Sequence, residues 1–185
     1  MGRFRGEAQD RLFRESVDIV RTMRPSMSCQ TQRILVQRSI AAPAEVVWQT
    51  LKAQQRLVSE VEDLRDIEIV ESDQNLNNPC VKRLVRWRVW LKGFELEWRE
   101  AQELDPKRRR VDFRQTTGML GTFEGFWQVN PRGDQAAVEL NVMLSSGMPH
   151  LGEFIDPVIV KAYDEFSTRL LDGLERLSIA ARGES

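Results

Sequence analysis

Histidine occurs once, tyrosine once and cysteine twice in 185 residues, and each scarcity removes a class of chemistry. One histidine and two distant thiols, Cys29 and Cys80, do not make a histidine-rich or thiolate zinc site. Nor do two cysteines make a disulfide framework; they suit a reducing compartment, so a cytoplasmic location is expected. No run approaches the roughly 20 apolar residues of a membrane span, and no stable membrane insertion is expected. The basic N-terminus lacks an apolar core segment, which argues against a secretory signal. An excess of one charge is missing too. The 27 basic and 28 acidic residues are well mixed, giving no general attraction to nucleic acid. Neither a Gly-x-Ser-x-Gly elbow nor a Ser/His/Asp triad is present. Gly118-Met119-Leu120-Gly121 runs into a strand rather than a helix, so it is not a phosphate loop. Nothing calls for a metal or a cofactor.

What is present is a meander. Residues 83–144 read as five alternating runs separated by four turns. Lys92-Gly93 suits a two-residue hairpin loop, because glycine accepts the positive φ such turns need. That turn pairs Leu91 with Phe94, Val89 with Leu96 and Trp87 with Trp98, all apolar, while Arg88 meets Glu97 and Trp90 meets Glu95. A one-residue slip would mix the faces, so the register is well specified. Later turns placed by the same rule give one row of Trp87, Trp98, Phe113, Trp127 and Leu140. A second row holds Val89, Leu96, Gln115, Gly125 and Val142, and a third holds Val85, Glu100, Val111, Val129 and Val138. An aromatic belt across a sheet needs an apolar helix or a ligand to face.

The flanks supply the helices. Residues 1–30 read as an extension whose stripe of Phe13, Val17 and Val20 ends at Pro25; it is either a helix that docks on a protein partner or a membrane surface, or a helix packed on its own domain or a frayed tail. Residues 31–182 read as one domain. Arg33–Ile40 alternates as a first strand. Pro43 fits the first position of a following helix and Glu45 its positive end. A short helix near Leu57 and a strand over Leu64–Glu71 precede the meander. Asp156-Pro157 reads as N-cap and first residue of a closing helix, with Ile159, Tyr163, Phe166, Leu170, Leu174 and Leu177 on one face. The expected class is α+β: about seven antiparallel strands in a curved sheet wrapped around a long C-terminal helix.

This order resembles the START-like (SRPBCC) superfamily with its helix-grip fold. The resemblance is carried by Ala42-Pro43-Ala44-Glu45-Val46-Val47-Trp48, by Gly125-Phe126-Trp127-Gln128-Val129 and by the terminal helix. Within it the chain looks most like the polyketide cyclase/dehydrase and coenzyme Q-binding branches. The resemblance implies an internal cavity for an apolar ligand. It carries over no catalytic residue, because the arginines and tyrosines such cyclases use are not matched here.

Candidate site residues therefore come from the rows. Gln115, beside the bare Gly125, either holds a ligand oxygen or bonds backbone near a loop. Glu100 is either a proton carrier with a raised pKa in an apolar pocket, or a solvated residue near Arg83. His150 is a candidate proton shuttle at the cavity mouth, although no carboxylate is set to orient it. Trp87, Val89, Leu96, Trp98, Phe113, Trp127, Leu140, Val142 and Phe166 are candidate ligand contacts, with the alternative of plain core. Tyr163 points either into the cavity or to water at its edge. Lys107-Arg108-Arg109-Arg110 reads as a solvated hairpin tip, and no nucleic-acid partner is expected. Three functions remain: a cyclase or dehydratase, a carrier for a quinone, lipid or other hydrophobic metabolite, and a protein-interaction module.

Overall fold

A computed structural model describes residues 31–73, 80–148 and 151–183. The N-terminal extension and His150 lie outside the described residues. The elements are β1 (Gln32–Ile40), α1 (Ala44–Lys52), a 3-10 helix (Gln54–Ser59), β2 (Leu64–Asp73), β3 (Val81–Leu91), β4 (Phe94–Asp105), β5 (Arg110–Thr117), β6 (Thr122–Arg132), β7 (Gln135–Ser145) and α2 (Gly152–Gly183). Every neighbouring pair of strands is antiparallel, in the order β1-β7-β6-β5-β4-β3-β2. β1 and β2 thus lie at opposite edges, and α1 with the 3-10 helix carries the chain between them. The α+β class, the curved seven-stranded sheet and the long closing helix are as expected. No helix among the described residues is long and apolar enough to cross a membrane.

The first hairpin forms in the expected register: Leu91 opposes Phe94, Val89 opposes Leu96 and Trp87 opposes Trp98. Lys92 at φ 50° and Gly93 at φ 87° make the two left-handed turn residues whose twist matches the strands. The β6–β7 register also holds, with Trp127 opposite Leu140 and Gly125 opposite Val142.

The two intervening registers differ. Phe113 lies opposite Gln102, not Trp98, and Gln115 opposite Glu100, a displacement of four residues. The cause is the turn. Asp105 does not sit in a two-residue loop but pairs with Arg110. Its Oδ1 accepts the N–H groups of Lys107 and Arg108 at 2.9 and 3.0 Å, an Asx turn that Arg109 completes at φ 49°. On β6, Phe113 faces Gly125 rather than Trp127, a displacement of two. Both displacements are even, so every residue keeps its expected face.

Two helix starts are corrected. Pro43 is the N-cap of α1 rather than its first residue; its carbonyl accepts the Val47 N–H at 3.1 Å. α2 begins at Gly152 and contains Pro157, because a preceding turn, with Gly152 N–H donating to Met148 O at 2.8 Å, runs straight into it. Asp156 therefore caps nothing. Its carboxylate accepts the Ser146 N–H at 2.9 Å and pins the end of β7 to the helix.

α2 packs on β1 and β7, on α1 and on the 3-10 helix. Over β3–β6 its backbone stands farther off, and side chains span the interval. Gly93→Val should lower stability by about 1–2 kcal/mol, the cost of a left-handed conformation for a residue with a Cβ, read as a lower urea midpoint at unchanged slope.

Candidate functional site

The interval between α2 and β3–β6 is filled by aromatic rings. Trp87 and Trp98 stack across the first hairpin with centroids 5.6 Å apart and planes 3° from parallel. Phe123 presents an edge to Trp98 at 5.5 Å. Tyr163, brought down by α2, reaches Phe123 at 5.2 Å and Trp98 at 6.2 Å. Between these rings remains a space of about 30 Å³, room for a water or two rather than for an organic ligand. A larger ligand must displace side chains.

Nine of the predicted residues line this space. Trp87, Trp98, Glu100, Phe113, Trp127, Leu140, Val142, Tyr163 and Phe166 all border it. Tyr163 is buried rather than at a wet edge. Four predicted residues do not line it. Val89 is buried core and Leu96 packs beside that core. Gly125 leaves no vacancy: a Cβ there would collide with the Asn141 carbonyl and lie 2.9 Å from Phe113 Cζ. Gln115, displaced by the β4–β5 register, donates its amide to Leu120 O at 2.8 Å, the backbone role set against its functional one. Trp98 also borders a depression of about 260 Å³ shared with Glu97, Arg99, Thr117 and Gly118.

Glu100 is the charged group of the inner space. It is 3% exposed, not solvated. Trp98 Nε1 donates to its Oε2 at 2.9 Å and Gln102 Nε2 to its Oε1 at 2.5 Å. Burial pushes its pKa above the ordinary value; the hydrogen bonds from Trp98 and Gln102, the nearby Trp87 N–H and the Arg83 charge pull it back. Burial also raises the Tyr163 hydroxyl, and the Glu100 charge adds to that shift.

Behind Glu100 lies a buried polar chain. Arg83 Nε donates to Gln102 Oε1 at 2.7 Å, Nη1 to Lys52 O at 2.8 Å and Nη2 to Gln54 Oε1 at 2.9 Å. Gln102 Nε2 also reaches Gln54 Oε1 at 3.0 Å. Lys52 ends α1, so the guanidinium meets the negative end of that helix. Burial lowers the Arg83 pKa to about 10, with Glu100 opposing the fall, and the group stays cationic at neutral pH. Arg83, Gln102, Gln54, Phe123 and Ser167 were not nominated from sequence. The first-hairpin register already sets Arg83 opposite Gln102, and alternation puts Phe123 on the face of Trp127. Gln54 comes from the 3-10 helix, and no local pattern points to it.

With this geometry in place, the comparisons carry weight. Residues 40–171 match the family described as polyketide cyclase/dehydrase and lipid transport. The chain belongs to that family. Its fold is that of the START-like superfamily. A protein from Thermus thermophilus matches with a TM-score of 0.72 and 25% identity over 81% of this chain and 99% of the other. The Zhui aromatase/cyclase from a Streptomyces species matches at TM-score 0.64 and 21% identity, covering 80% and 95%. A START superfamily protein from Mycobacterium smegmatis matches at 0.63 and 16%, covering 77% and 94%. No curated protein matches at the sequence level. Family membership and fold together mark the domain as one that binds a small molecule.

Two outcomes follow from the buried charges. Arg83→Met leaves the Gln102 and Lys52 oxygens without their donor and takes one of two from Gln54, and should cost about 3–5 kcal/mol, the range for breaking a buried charged network, measured by denaturant unfolding. Glu100 binds its proton more tightly folded than unfolded, so wild-type stability falls as pH rises above the ordinary carboxylate value. Glu100→Gln removes that slope. Its stability relative to wild type should therefore improve steadily as unfolding is repeated at rising pH, whatever its constant offset; a flat difference would mean that Glu100 has no raised pKa.

Proposed function

We propose that this domain is a cyclase or dehydratase of the aromatase/cyclase type, acting on an apolar poly-keto chain between the sheet and α2. The observation that carries the reading is Glu100, a buried carboxylate of raised pKa on the wall of an aromatic-lined space. A carbon between two carbonyls is already acidic, so the enzyme's main task is to hold one such carbon against one carbonyl. Glu100 takes the C–H proton as the new carbon–carbon bond forms. It then returns that proton to the oxygen of the attacked carbonyl, leaving a hydroxyl group. Elimination repeats the exchange: the carboxylate takes the neighbouring C–H proton and delivers it to the departing hydroxyl, releasing water. A pKa lifted toward the working pH favours both halves of this exchange. The aromatic belt sets the curl of the chain.

A second reading, a carrier for a quinone, lipid or other hydrophobic metabolite, is favoured by one observation. Both Glu100 oxygens already accept a hydrogen bond, as in a group whose work is structural. The readings separate on measurement. Mass spectrometry of the organic extract from natively captured protein, compared with Trp127→Ala, identifies the ligand series. With a poly-keto substrate from that series, Glu100→Gln should lower kcat about 100-fold or more, the usual worth of a general acid–base, with ligand affinity kept within about tenfold. Unchanged turnover removes Glu100 from the mechanism, and a prenylated quinone or phospholipid in the extract supports the carrier.

A further inference from the structure

The two stacked indoles differ in one respect. Trp98 gives its N–H to Glu100. Trp87, 3% exposed, has a buried Nε1 with no hydrogen-bond partner. An unsatisfied buried donor costs about 1–3 kcal/mol, and such donors are rare enough in native proteins to need an explanation. The Trp87 N–H acts on Glu100 as a donor would, favouring its charged form, but it does not reach hydrogen-bond geometry with any acceptor. Both residues border the same small space.

We propose that Trp87 Nε1 and the Glu100 carboxylate form a two-point subsite for a hydroxyl group, phenolic or enolic, on an otherwise aromatic or apolar ligand. A hydroxyl meets both demands at once: its oxygen accepts from the indole and its hydrogen goes to a carboxylate oxygen. An aliphatic or aromatic hydrocarbon leaves the indole unsatisfied. A carboxylate ligand accepts from Trp87 but then faces Glu100 charge to charge. Arg83 offers such a ligand no hydrogen bond, for it lies behind Gln102 and its donors go to Gln102, Gln54 and Lys52. The subsite thus selects neutral hydroxylated compounds over acids of the same shape. This rests on the reading of the space as a ligand site.

The test uses three probes of one ring system, 2-naphthol, naphthalene and 2-naphthoate, in equilibrium dialysis against the full chain. Wild type should bind 2-naphthol about tenfold more tightly than naphthalene, the worth of a hydrogen bond to a charged group, and 2-naphthoate most weakly. In Trp87→Phe, which keeps a ring and loses the N–H, the naphthol preference should fall to about threefold or less with naphthalene affinity unchanged. Indole N–H resonances of wild type give a check independent of any variant: one should move downfield with 2-naphthol, well beyond the ring-current change that naphthalene produces at the same place. Equal binding of naphthol and naphthalene, a preference unaltered in Trp87→Phe, or no such downfield indole signal overturns the subsite alone. Failure of all three probes to bind overturns the ligand-site reading with it.

Discussion

Arg83 holds the helical excursion to the sheet. A guanidinium taken out of water costs several kcal/mol unless its donors are met, and the three partners here come from three elements. Lys52 O lies at the end of α1, Gln54 on the 3-10 helix and Gln102 on β4, while Arg83 itself is on β3. The link from β1 to β2 crosses from one sheet edge to the other, and this cation fixes where it passes. Gln102 then hands the constraint on. With its oxygen committed to Arg83, its amide nitrogen must find acceptors, and it finds Gln54 and Glu100. The carboxylate of the site is thus oriented by the same contacts that close the fold.

The aromatic belt follows from a second constraint. α2 packs closely on β1 and β7, and the curved sheet leaves a wedge beneath the rest of the helix that only large side chains fill. Trp87, Trp98, Phe123 and Tyr163 fill it through ring contacts, each worth about 0.5–1.5 kcal/mol beyond burial. A ligand entering this space replaces ring contacts rather than filling a void. Its net affinity is the difference between two similar sets of interactions, which favours flat, aromatic or polyunsaturated compounds over floppy alkyl chains whose ordering costs more entropy.

Much of this was legible because strand alternation is so strict. Lys92-Gly93 fixed one register, and alternation kept each residue on its proper face even where Asp105 and Arg109 shifted the next hairpin by four. The shift still mattered. It carried Gln115 away from the apolar rows and set it opposite Glu100. It also brought Phe113 opposite Gln102, on whose face Glu100 is buried. The side-chain turn at Asp105 was the missing information: a one-atom acceptor choosing between a two-residue and a four-residue loop. Gln54 was beyond reach for a different reason, since its role depends on where the crossover helix lands against β3 and β4.

Glu100 sits where opposing effects nearly meet. Burial favours the acid; two hydrogen bonds and a cation one residue removed favour the carboxylate. A group so balanced responds to what is placed beside it. An apolar ligand that expels the last water from the space deepens desolvation and drives Glu100 toward its acid form. A ligand that brings a hydroxyl supplies a further donor and drives it toward the carboxylate. In a cyclisation the substrate carries keto groups before bond formation and a hydroxyl after it. The substrate therefore favours the protonated side of the pair and the product the ionised side. The proton exchange begins from the carboxylate, so the hydrogen bonds from Trp98 and Gln102 and the Arg83 charge must hold Glu100 ionised against the desolvation that a keto substrate brings.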